Sequence, residues 1–343
     1  MPHAKLALVG FGNVGRALAV LLEQKRAELK DGYDITFQVN GIATGRHGLA
    51  IAPDGLDLSK ALELVKNGRP LNELSTVPVP ANTLAFVQTV PADILFENSP
   101  VNHKTGQPAI DYLHTALERG MHAITANKGP VAHAFRELKA FAEARGKRFL
   151  YESTVMDGAP IFSMFRGPLP AVHILRITGV LNSTTNQILE MMENGQTFDE
   201  AVQYCIRVGL AETDPSADID GWDASIKLAI LVTLLMGYDL TPQQINRTGI
   251  RGITPEMIAE VRQAGERWKL ICSAVREGDS VRARVAPERV KASSHMYSIR
   301  VSGSAVEFDL DVQPALGIYK DDSGPDTTAY GLLADMINAL RGT

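Results

Sequence analysis

The chain of 343 residues contains only two cysteines, Cys205 and Cys272, too few for a disulfide framework or a cysteine zinc site. Its N-terminus carries no signal-peptide pattern, and a low cysteine content is typical of a reducing compartment. Long hydrophobic runs are missing too, because the most apolar stretch, residues 224–237, is shorter than the roughly 20 residues of a membrane span. We therefore expect a cytoplasmic protein that does not enter a membrane.

An excess of positive charge is also absent. The sequence has 34 Lys and Arg residues against 39 Asp and Glu residues, a formal net charge of −5, which argues against a nucleic-acid-binding surface. A hydrophobic fraction of 45% argues against a disordered chain, and the length accommodates two domains. These features are typical of a two-domain enzyme.

The N-terminal segment predicts the opening of a dinucleotide-binding fold. An apolar run at residues 5–9 leads into a Gly-x-Gly-x-x-Gly loop, helical character follows from Arg16, and a second strand is expected from Ile35 to Ala43. Glycines here permit a tight turn and a close approach to a pyrophosphate, which the helix N-terminus attracts. The predicted cofactor contacts are Gly10, Phe11, Gly12, Asn13, Val14 and Gly15. The alternative is a glycine turn with a purely structural role.

Strands and helices continue to alternate up to about residue 151, which predicts a parallel, doubly wound sheet. The predicted fold class is therefore α/β. We expect a Rossmann-type NAD(P)-binding domain at residues 1–152, completed by a C-terminal helix within 320–343 that packs back on it. Residues 153–319 are expected to form an α+β catalytic domain.

The second domain has a different pattern of elements. Helices are expected near residues 184–193, 197–208 and 222–236, and strands near residues 281–285, 297–301 and 305–310. A turn at Ser302 and Gly303 predicts a hairpin that joins the last two of these strands.

The ends of two predicted strands bear on how the cofactor is held. No carboxylate follows the second strand, where Thr44, Gly45 and Arg46 stand instead, and an arginine there would accept the 2′-phosphate of NADP. We therefore predict NADP in preference to NAD, although Arg46 is alternatively a solvated loop cation. Ser99 follows the strand at residues 92–97, on the edge where such folds bind ligands, and is a predicted nicotinamide contact.

Five carboxylates lie between Glu212 and Asp223, directly before an apolar helix. A calcium loop is excluded, because the EF-hand register puts Lys227 where a bidentate Glu is needed. Asp223 and Lys227 are four residues apart and share one helix face. A lysine in so apolar a helix suits proton exchange with a substrate hydroxyl, whereas the alternative is a structural ion pair.

Several separated motifs in this order resemble those of homoserine dehydrogenases. They are the glycine loop, TANKGP at residues 125–130, YESTV at 151–155, GVLNSTTNQIL at 179–189, GLAETDP at 209–215, DIDGWDASIK at 218–227 and GPDTTAY at 324–330. The resemblance covers nearly the whole chain. It implies reversible NAD(P)-dependent interconversion of L-homoserine and L-aspartate 4-semialdehyde, a step toward threonine, methionine and isoleucine.

The resemblance also implies roles for individual residues. Lys227 matches the proton donor of the family, and Lys128 matches a second active-site lysine that contacts both the substrate and the cofactor. Glu212, Asp218 and Asp223 match acidic residues that hold the substrate or its water. Thr184 matches a residue that lines the substrate pocket, and Gly324 matches a cofactor contact. The residues that match the surroundings of a sodium or potassium ion are Glu152, Val155, Asp157 and Ala159. A homodimer formed through the strand-rich segment after Ser280 is implied as well.

Two other functions stay open at this point. One is a different Rossmann dehydrogenase of a small amino-acid-derived alcohol, and the other is a redox-sensing module that binds NAD(P) without turnover. An aldehyde dehydrogenase is disfavoured because neither cysteine has a neighbouring histidine in sequence. Within the resembling family, the length leads us to expect a short monofunctional form without a C-terminal regulatory domain, and hence without threonine inhibition through such a domain.

Overall fold

The computed structural model describes residues 3–342, which separate into two compact units. One unit comprises residues 3–160 and 324–342, and the other is Ile161–Ser323. Each contains one six-stranded sheet, and the predicted α/β fold class is confirmed. Three residues of the predicted first domain, Met1, Pro2 and Thr343, lie outside the described residues.

The strands are, in chain order, β1 (His3–Val9), β2 (Thr36–Ala43), β3 (Leu49–Ile51), β4 (Ile94–Glu97), β5 (His122–Thr125), β6 (Phe149–Leu150), β7 (Ile174–Val180), β8 (Asn246–Arg247), β9 (Glu266–Glu277), β10 (Ser280–Lys291), β11 (Ser304–Leu310) and β12 (Leu316–Lys320). The helices are α1 (Asn13–Tyr33), α2 (Leu58–Lys66), α3 (Thr83–Thr89), α4 (Ala109–Glu118), α5 (Lys128–Glu143), α6 (Ser153–Met156), α7 (Ile161–Arg166), α8 (Ser183–Glu193), α9 (Phe198–Arg207), α10 (Ser216–Ile219), α11 (Trp222–Leu231), α12 (Pro255–Gln263) and α13 (Pro325–Arg341). Among residues 3–342, none of these helices combines the length and the apolar character of a membrane span.

The sheet of the first unit has the order β3-β2-β1-β4-β5-β6. Its strands pair in parallel except β3, which runs antiparallel to β2 at one edge. The chain order reverses between β1 and β4, which is the point where doubly wound sheets bind ligands outside the carboxyl ends of the strands. Strand β3 was not predicted, because three residues are too few to show a period.

Helices α1 and α13 pack together in the core of the first unit. Helix α1 buries Leu18, Leu22 and Leu29, which follow the spacing of one helical face, and α13 contributes Leu332 and Met336. The C-terminal helix therefore belongs to the core around the nucleotide-binding sheet rather than to the second unit.

The second unit has a mainly antiparallel sheet in the order β12-β11-β7-β9-β10-β8, of which only the β10–β8 pair is parallel. Strands β7, β8, β9 and β12 were not predicted. Strand β9 includes Arg267, Lys269 and Arg276, and such charged residues hide the alternation that identifies a strand from sequence.

The predicted strand at residues 297–301 is wrong, and so is its hairpin with residues 305–310. A short 3-10 turn, His295–Ser298, stands there, and β11 pairs with β7 and β12 instead. Side chains satisfy the backbone that a strand would have paired: Lys269 Nζ donates to the Ile299 carbonyl, Asn186 donates to the Val301 carbonyl, and the Val301 N–H donates to Glu190. Buried partners distant in sequence thus replace the expected ladder.

Candidate active site

The glycine loop joins β1 to α1 in the conformation that its sequence predicts. Gly10 has a φ of +87°, and a Cβ on it would stand 2.2 Å from the Asn98 carbonyl oxygen. A Cβ on Gly15 would stand 2.3 Å from the Gly10 carbonyl oxygen, whereas one on Gly12 would meet nothing within 4 Å. Gly10 and Gly15 are therefore required by packing, and Gly12 faces open space.

Gly12 caps α1 without any side-chain hydrogen bond, and the first turn of α1 contains no acidic residue. The N–H groups of that turn thus keep their positive partial charge available for a phosphate. A cavity of about 620 Å³ opens here. Its lining includes Ser99 and five other predicted cofactor contacts, which are Gly10, Phe11, Gly12, Asn13 and Arg46. Val14, Gly15, Lys128 and Gly324 are not part of the lining.

The loop after β2 forms one wall of this cavity. The Thr44 hydroxyl accepts the N–H of Arg46 at 3.2 Å and that of His47 at 2.6 Å, which fixes the turn that presents Arg46. Along the described chain, the cavity lining contains Arg16 and Arg46 and no acidic residue. This wall therefore suits a phosphate, and it lacks the carboxylate that would hold an unsubstituted ribose.

The segment after β4 forms the opposite wall, with Asn98, Ser99, Pro100 and Val101. Ser99 donates its N–H to Glu97 Oε1 at 2.8 Å and its hydroxyl to the same oxygen. The carboxamide of Asn98 has both polar atoms buried, and no hydrogen-bond partner for them occurs in residues 3–342. An unpaired buried amide beside a ligand cavity is unfavourable unless the ligand pairs with it. Sequence reasoning missed Asn98, although its position next to Ser99 was a signal.

A second group of polar side chains lies in the other unit, around Asn182, the N-cap of α8. The Asn182 amide nitrogen donates to Asp218 Oδ1 at 2.6 Å and to Asp223 Oδ2 at 3.0 Å, while its oxygen accepts the N–H of Thr185. Asn182 is 3% exposed and Asp223 is 7% exposed. The amide thus joins two of the predicted carboxylates. In the sequence Asn182 stands out only as part of the motif at residues 179–189, because this bridge joins residues 36 and 41 positions apart.

Lys227 completes this group, and its side chain is only 17% exposed. Its Nζ lies 2.9 Å from Asp223 Oδ2 and donates to the Leu181 carbonyl at 2.8 Å. The spacing of four residues on α11 brings Asp223 and Lys227 together as predicted. We refer to Asn182, Asp218, Asp223 and Lys227 as the lysine cluster.

Other acidic residues of the same segment lie apart from the lysine cluster. Asp220 pairs with Arg251 at 2.5 Å, and Asp214 accepts the N–H of Ser216. Glu212 is exposed, and its predicted contact with the substrate stays a prediction. Thr184 is buried and donates its hydroxyl to the Leu210 carbonyl. The structure therefore separates one pair of carboxylates, Asp218 and Asp223, from the rest of the run.

Both cysteines are buried. Burial, with a smaller contribution from nearby Asp218, raises the pKa of Cys205 to about 11, and burial raises the pKa of Cys272 to about 12. Thiols with such pKa values are poor nucleophiles near neutral pH. Within the described residues, no three His, Cys, Asp or Glu side chains are grouped so that they could hold a metal ion.

The residues predicted around a monovalent cation lie in and after α6. Glu152 and Val155 are buried, and Asp157 has a φ of +50°. The carboxylate of Asp157 accepts the hydroxyls of Thr327 and Thr328, each at 3.2 Å. Its side chain is therefore engaged with α13, and a cation here would depend on Glu152 and on main-chain carbonyls such as those of Val155 and Ala159.

Comparison with known proteins identifies the family. The family described as "Homoserine dehydrogenase, NAD binding domain" matches residues 10–152, and the family described as "Homoserine dehydrogenase" matches residues 160–337. The chain belongs to the homoserine dehydrogenase family. It is 35% identical to the NAD(+)-dependent homoserine dehydrogenase of Pseudomonas canavaninivorans over 98% of this chain and 96% of that protein.

Solved structures of the family are similar as well. The crystal structure of a putative homoserine dehydrogenase from Archaeoglobus fulgidus has a TM-score of 0.86 and 28% identity over 98% of both chains. A hyperthermophilic archaeal homoserine dehydrogenase in complex with NADPH has a TM-score of 0.84 and 27% identity, covering 100% of this chain and 99% of that one. As a homoserine dehydrogenase, the chain is an NAD(P)-dependent oxidoreductase that acts on a CH–OH group.

Proposed function

We propose that this homoserine dehydrogenase transfers a proton through Lys227 while it interconverts L-homoserine and L-aspartate 4-semialdehyde. The lysine cluster carries this proposal, because it contains a lysine that is only 17% exposed, is held by two hydrogen-bonding partners and lies beside two joined carboxylates. A module that only binds the dinucleotide has no use for such a group. The cavity at the glycine loop fits NAD(P), whose pyrophosphate the N–H groups of α1 would hold.

Bound NAD(P)H supplies the hydride that adds to the aldehyde carbon. The carbonyl electron pair moves to the oxygen, which then needs a cation and one proton to become the hydroxyl of homoserine. The Lys227 ammonium stabilises this charge and donates the proton, and in the reverse direction its amine removes it. Asp223 and the Leu181 carbonyl hold Nζ in place, so little reorganisation is needed during the reaction.

The carboxylates have a further task in this proposal. The substrate carries an α-ammonium group, and Asp218 and Glu212 are the acids that we propose for it. Asn182 holds Asp218 and Asp223 at one position by donating to both, which offsets their mutual repulsion. Lys128, the first residue of α5, is proposed as the second active-site lysine, and Thr184 as part of the substrate pocket.

The test is the oxidation of NADPH with L-aspartate 4-semialdehyde, followed by absorbance. We expect turnover by the parent enzyme and a loss of at least about 10²-fold in kcat for Lys227→Ala. Asp220→Asn is the matched control, because Asp220 belongs to the same acidic run but pairs with Arg251. Full activity of Lys227→Ala would rule out the proton-transfer role, and equal losses in both variants would indicate a general effect on the fold.

NADP is the proposed preferred cofactor. Arg46 on the cavity wall and the absence of an acidic residue from the described lining support it. The named relatives point in both directions, since one is called NAD(+)-dependent and another is a complex with NADPH. Side-by-side titration with NADPH and NADH decides between them.

Three further properties are proposed. A sodium or potassium ion bound near Glu152, Val155, Asp157 and Ala159 would make activity depend on the monovalent salt, measured against choline chloride. A homodimer is proposed through the strand-rich segment after Ser280, which exposes Val312 and Tyr319, and light scattering gives its mass. A cytoplasmic location remains a prediction.

A further inference from the structure

Glu97 is a buried carboxylic acid at the end of β4 that the proposed reaction does not use. It is 0% exposed, and no cation pairs with it in residues 3–342. All its side-chain hydrogen bonds come from uncharged groups. Burial raises the pKa of Glu97 above its ordinary value, although the hydrogen bonds from Ser99, Thr125 and Asn127 oppose this effect. A charge on a buried carboxylate is costly in free energy unless an ion pair or hydrogen bonds compensate for it.

The contacts of Glu97 fix the chain after β4 from two sides. Oε1 accepts both the N–H and the hydroxyl of Ser99, and Oε2 lies 2.9 Å from the hydroxyl of Thr125 at the end of β5. The Ser99 carbonyl in turn accepts the amide of Asn127 at 3.2 Å, and the N–H of Asn127 donates to the Thr125 hydroxyl. Glu97 therefore ties the segments that follow two neighbouring strands into one network.

This segment also packs against the glycine loop. A Cβ on Gly10 would stand 2.2 Å from the Asn98 carbonyl oxygen and 2.8 Å from the Ser99 nitrogen, which Glu97 holds. The position of the Ser99 peptide thus fixes the part of the cavity wall that follows β4.

The sheet order assigns this wall to one end of the cofactor. The glycine loop follows β1. The cavity wall that contains Arg46 follows β2 on one side of it, and the cavity wall that contains Ser99 follows β4 on the other side. A dinucleotide with its adenosine ribose at the β2 side therefore has its nicotinamide at the β4 side.

The protons in the network can be placed with an uncharged Glu97. The Thr125 hydroxyl has one proton and lies 3.0 Å from the Glu97 main-chain carbonyl, to which it can donate. A protonated Oε2 then donates to Thr125 Oγ1, while Oε1 still accepts from Ser99. The side chain of glutamine supplies the same donor and the same acceptor in the same places.

We propose that Glu97 is a positioning residue for the nicotinamide half of the cofactor, and that it holds the Ser99 peptide through hydrogen bonds as an uncharged acid. The inference rests on the proposed NAD(P)-dependent function. It assigns to Glu97 no contact with substrate and no part in proton transfer.

The test compares Glu97→Gln, which keeps the donor and acceptor, with Glu97→Leu, which removes both at similar volume. The affinity for NADPH is measured by fluorescence titration, and that for 2′-phospho-ADP-ribose, which lacks the nicotinamide, by calorimetry. We expect Glu97→Leu to bind NADPH about tenfold more weakly, which corresponds to one lost hydrogen bond, and to bind 2′-phospho-ADP-ribose as the parent does. Glu97→Gln should match the parent with both ligands.

The oxidised nicotinamide carries a positive charge, so a nearby carboxylate would favour NADP⁺ over NADPH. We therefore expect the ratio of the two dissociation constants to be the same in Glu97→Gln and in the parent. A shift of that ratio toward NADPH, or a Glu97→Gln variant as weak as Glu97→Leu, would show a charged role and overturn the proposal. Equal loss of both ligands by Glu97→Leu, or no loss, would overturn the positioning role. A parent enzyme that binds neither ligand would instead contradict the proposed function.

Discussion

Main-chain groups form most of the dinucleotide cavity of the first unit, whereas side chains form the lysine cluster of the second. The cavity is formed by backbone at the ends of parallel strands, with glycines where a side chain would not fit. The lysine cluster consists of side chains from α11, the segment before it and the N-cap of α8. Backbone sites depend on local conformation, whereas side-chain clusters depend on contacts between distant segments. Substitutions should therefore fail for different reasons in the two places.

The largest effect is expected at the glycine loop, from Gly10→Ala. A residue with a Cβ at a φ of +87° costs about 1–2 kcal/mol of backbone strain, and this Cβ would also clash with the Asn98 carbonyl. We expect the melting temperature to fall by several degrees and NADPH affinity to fall roughly 100-fold, the equivalent of about 2.8 kcal/mol. Calorimetry and fluorescence titration measure the two quantities.

Gly12→Ala is the control for that variant. Its φ of −77° is ordinary, and its Cβ would point into open space, so the melting temperature should not change. NADPH affinity should still fall, because the cofactor passes close to this position. A destabilised Gly12→Ala, or a Gly10→Ala that melts like the parent, would contradict the division between packing glycines and ligand-facing glycines.

A smaller effect is expected in the lysine cluster from Asn182→Ser. Serine can still cap α8, so the capping contribution of about 1 kcal/mol should be kept, but serine is too short to join Asp218 and Asp223. Two unjoined carboxylates repel each other and hold Lys227 less firmly. We expect kcat to fall about tenfold, because the hydrogen bond to Asp223, the residue that pairs with Lys227, is lost, and we expect NADPH affinity to stay unchanged.

Thr197→Ala is the matched control for Asn182→Ser. Thr197 caps α9 with a capping box, and within the described residues its side chain exchanges hydrogen bonds with Glu200, which lies outside the lysine cluster. Its removal should lower stability by about 1 kcal/mol and leave kcat as in the parent. If Thr197→Ala lowered kcat as much as Asn182→Ser, activity would follow the stability of the helices and not the carboxylate bridge.

The same contrast explains how much the sequence could predict. The pattern around Gly10, Gly12 and Gly15 identified the turn because the positive φ of Gly10 and the approach of Gly15 to the Gly10 carbonyl both arise within a few residues. The pair of Asp223 and Lys227 was found for the same reason, since it lies on one helix. Asn182 and Glu97 are not assigned roles from the sequence, because some of their partners lie on other elements. These partners are Asp218 and Asp223 for Asn182, and Thr125 for Glu97.

The error at residues 297–301 has a related cause. Tyr297, Ile299 and Val301 alternate in the sequence, but only Ile299 is buried, while Tyr297 is half-buried and Val301 is exposed. The backbone, however, pairs with side chains such as Lys269 that no local pattern connects to it. At this place the alternation identified neither the burial of all three residues nor the groups that satisfy their backbone.

The smallest expected effect concerns cofactor choice, and it tests whether a side chain also matters in the backbone-built cavity. Arg46→Ala removes a cation from the wall after β2 while Thr44 still shapes the turn through the N–H groups of residues 46 and 47. We expect NADPH affinity to fall about fivefold and NADH affinity to stay the same, because only the 2′-phosphate loses a charged partner and that partner is exposed to solvent. Arg251→Ala, which removes an exposed arginine in the other unit, serves as the control. Equal changes for NADPH and NADH would show that Arg46 does not select the cofactor. The backbone of the glycine loop and the cavity wall that contains Ser99 would then determine binding, and the preference for a phosphate would have to come from Arg16, the other cation in the described lining.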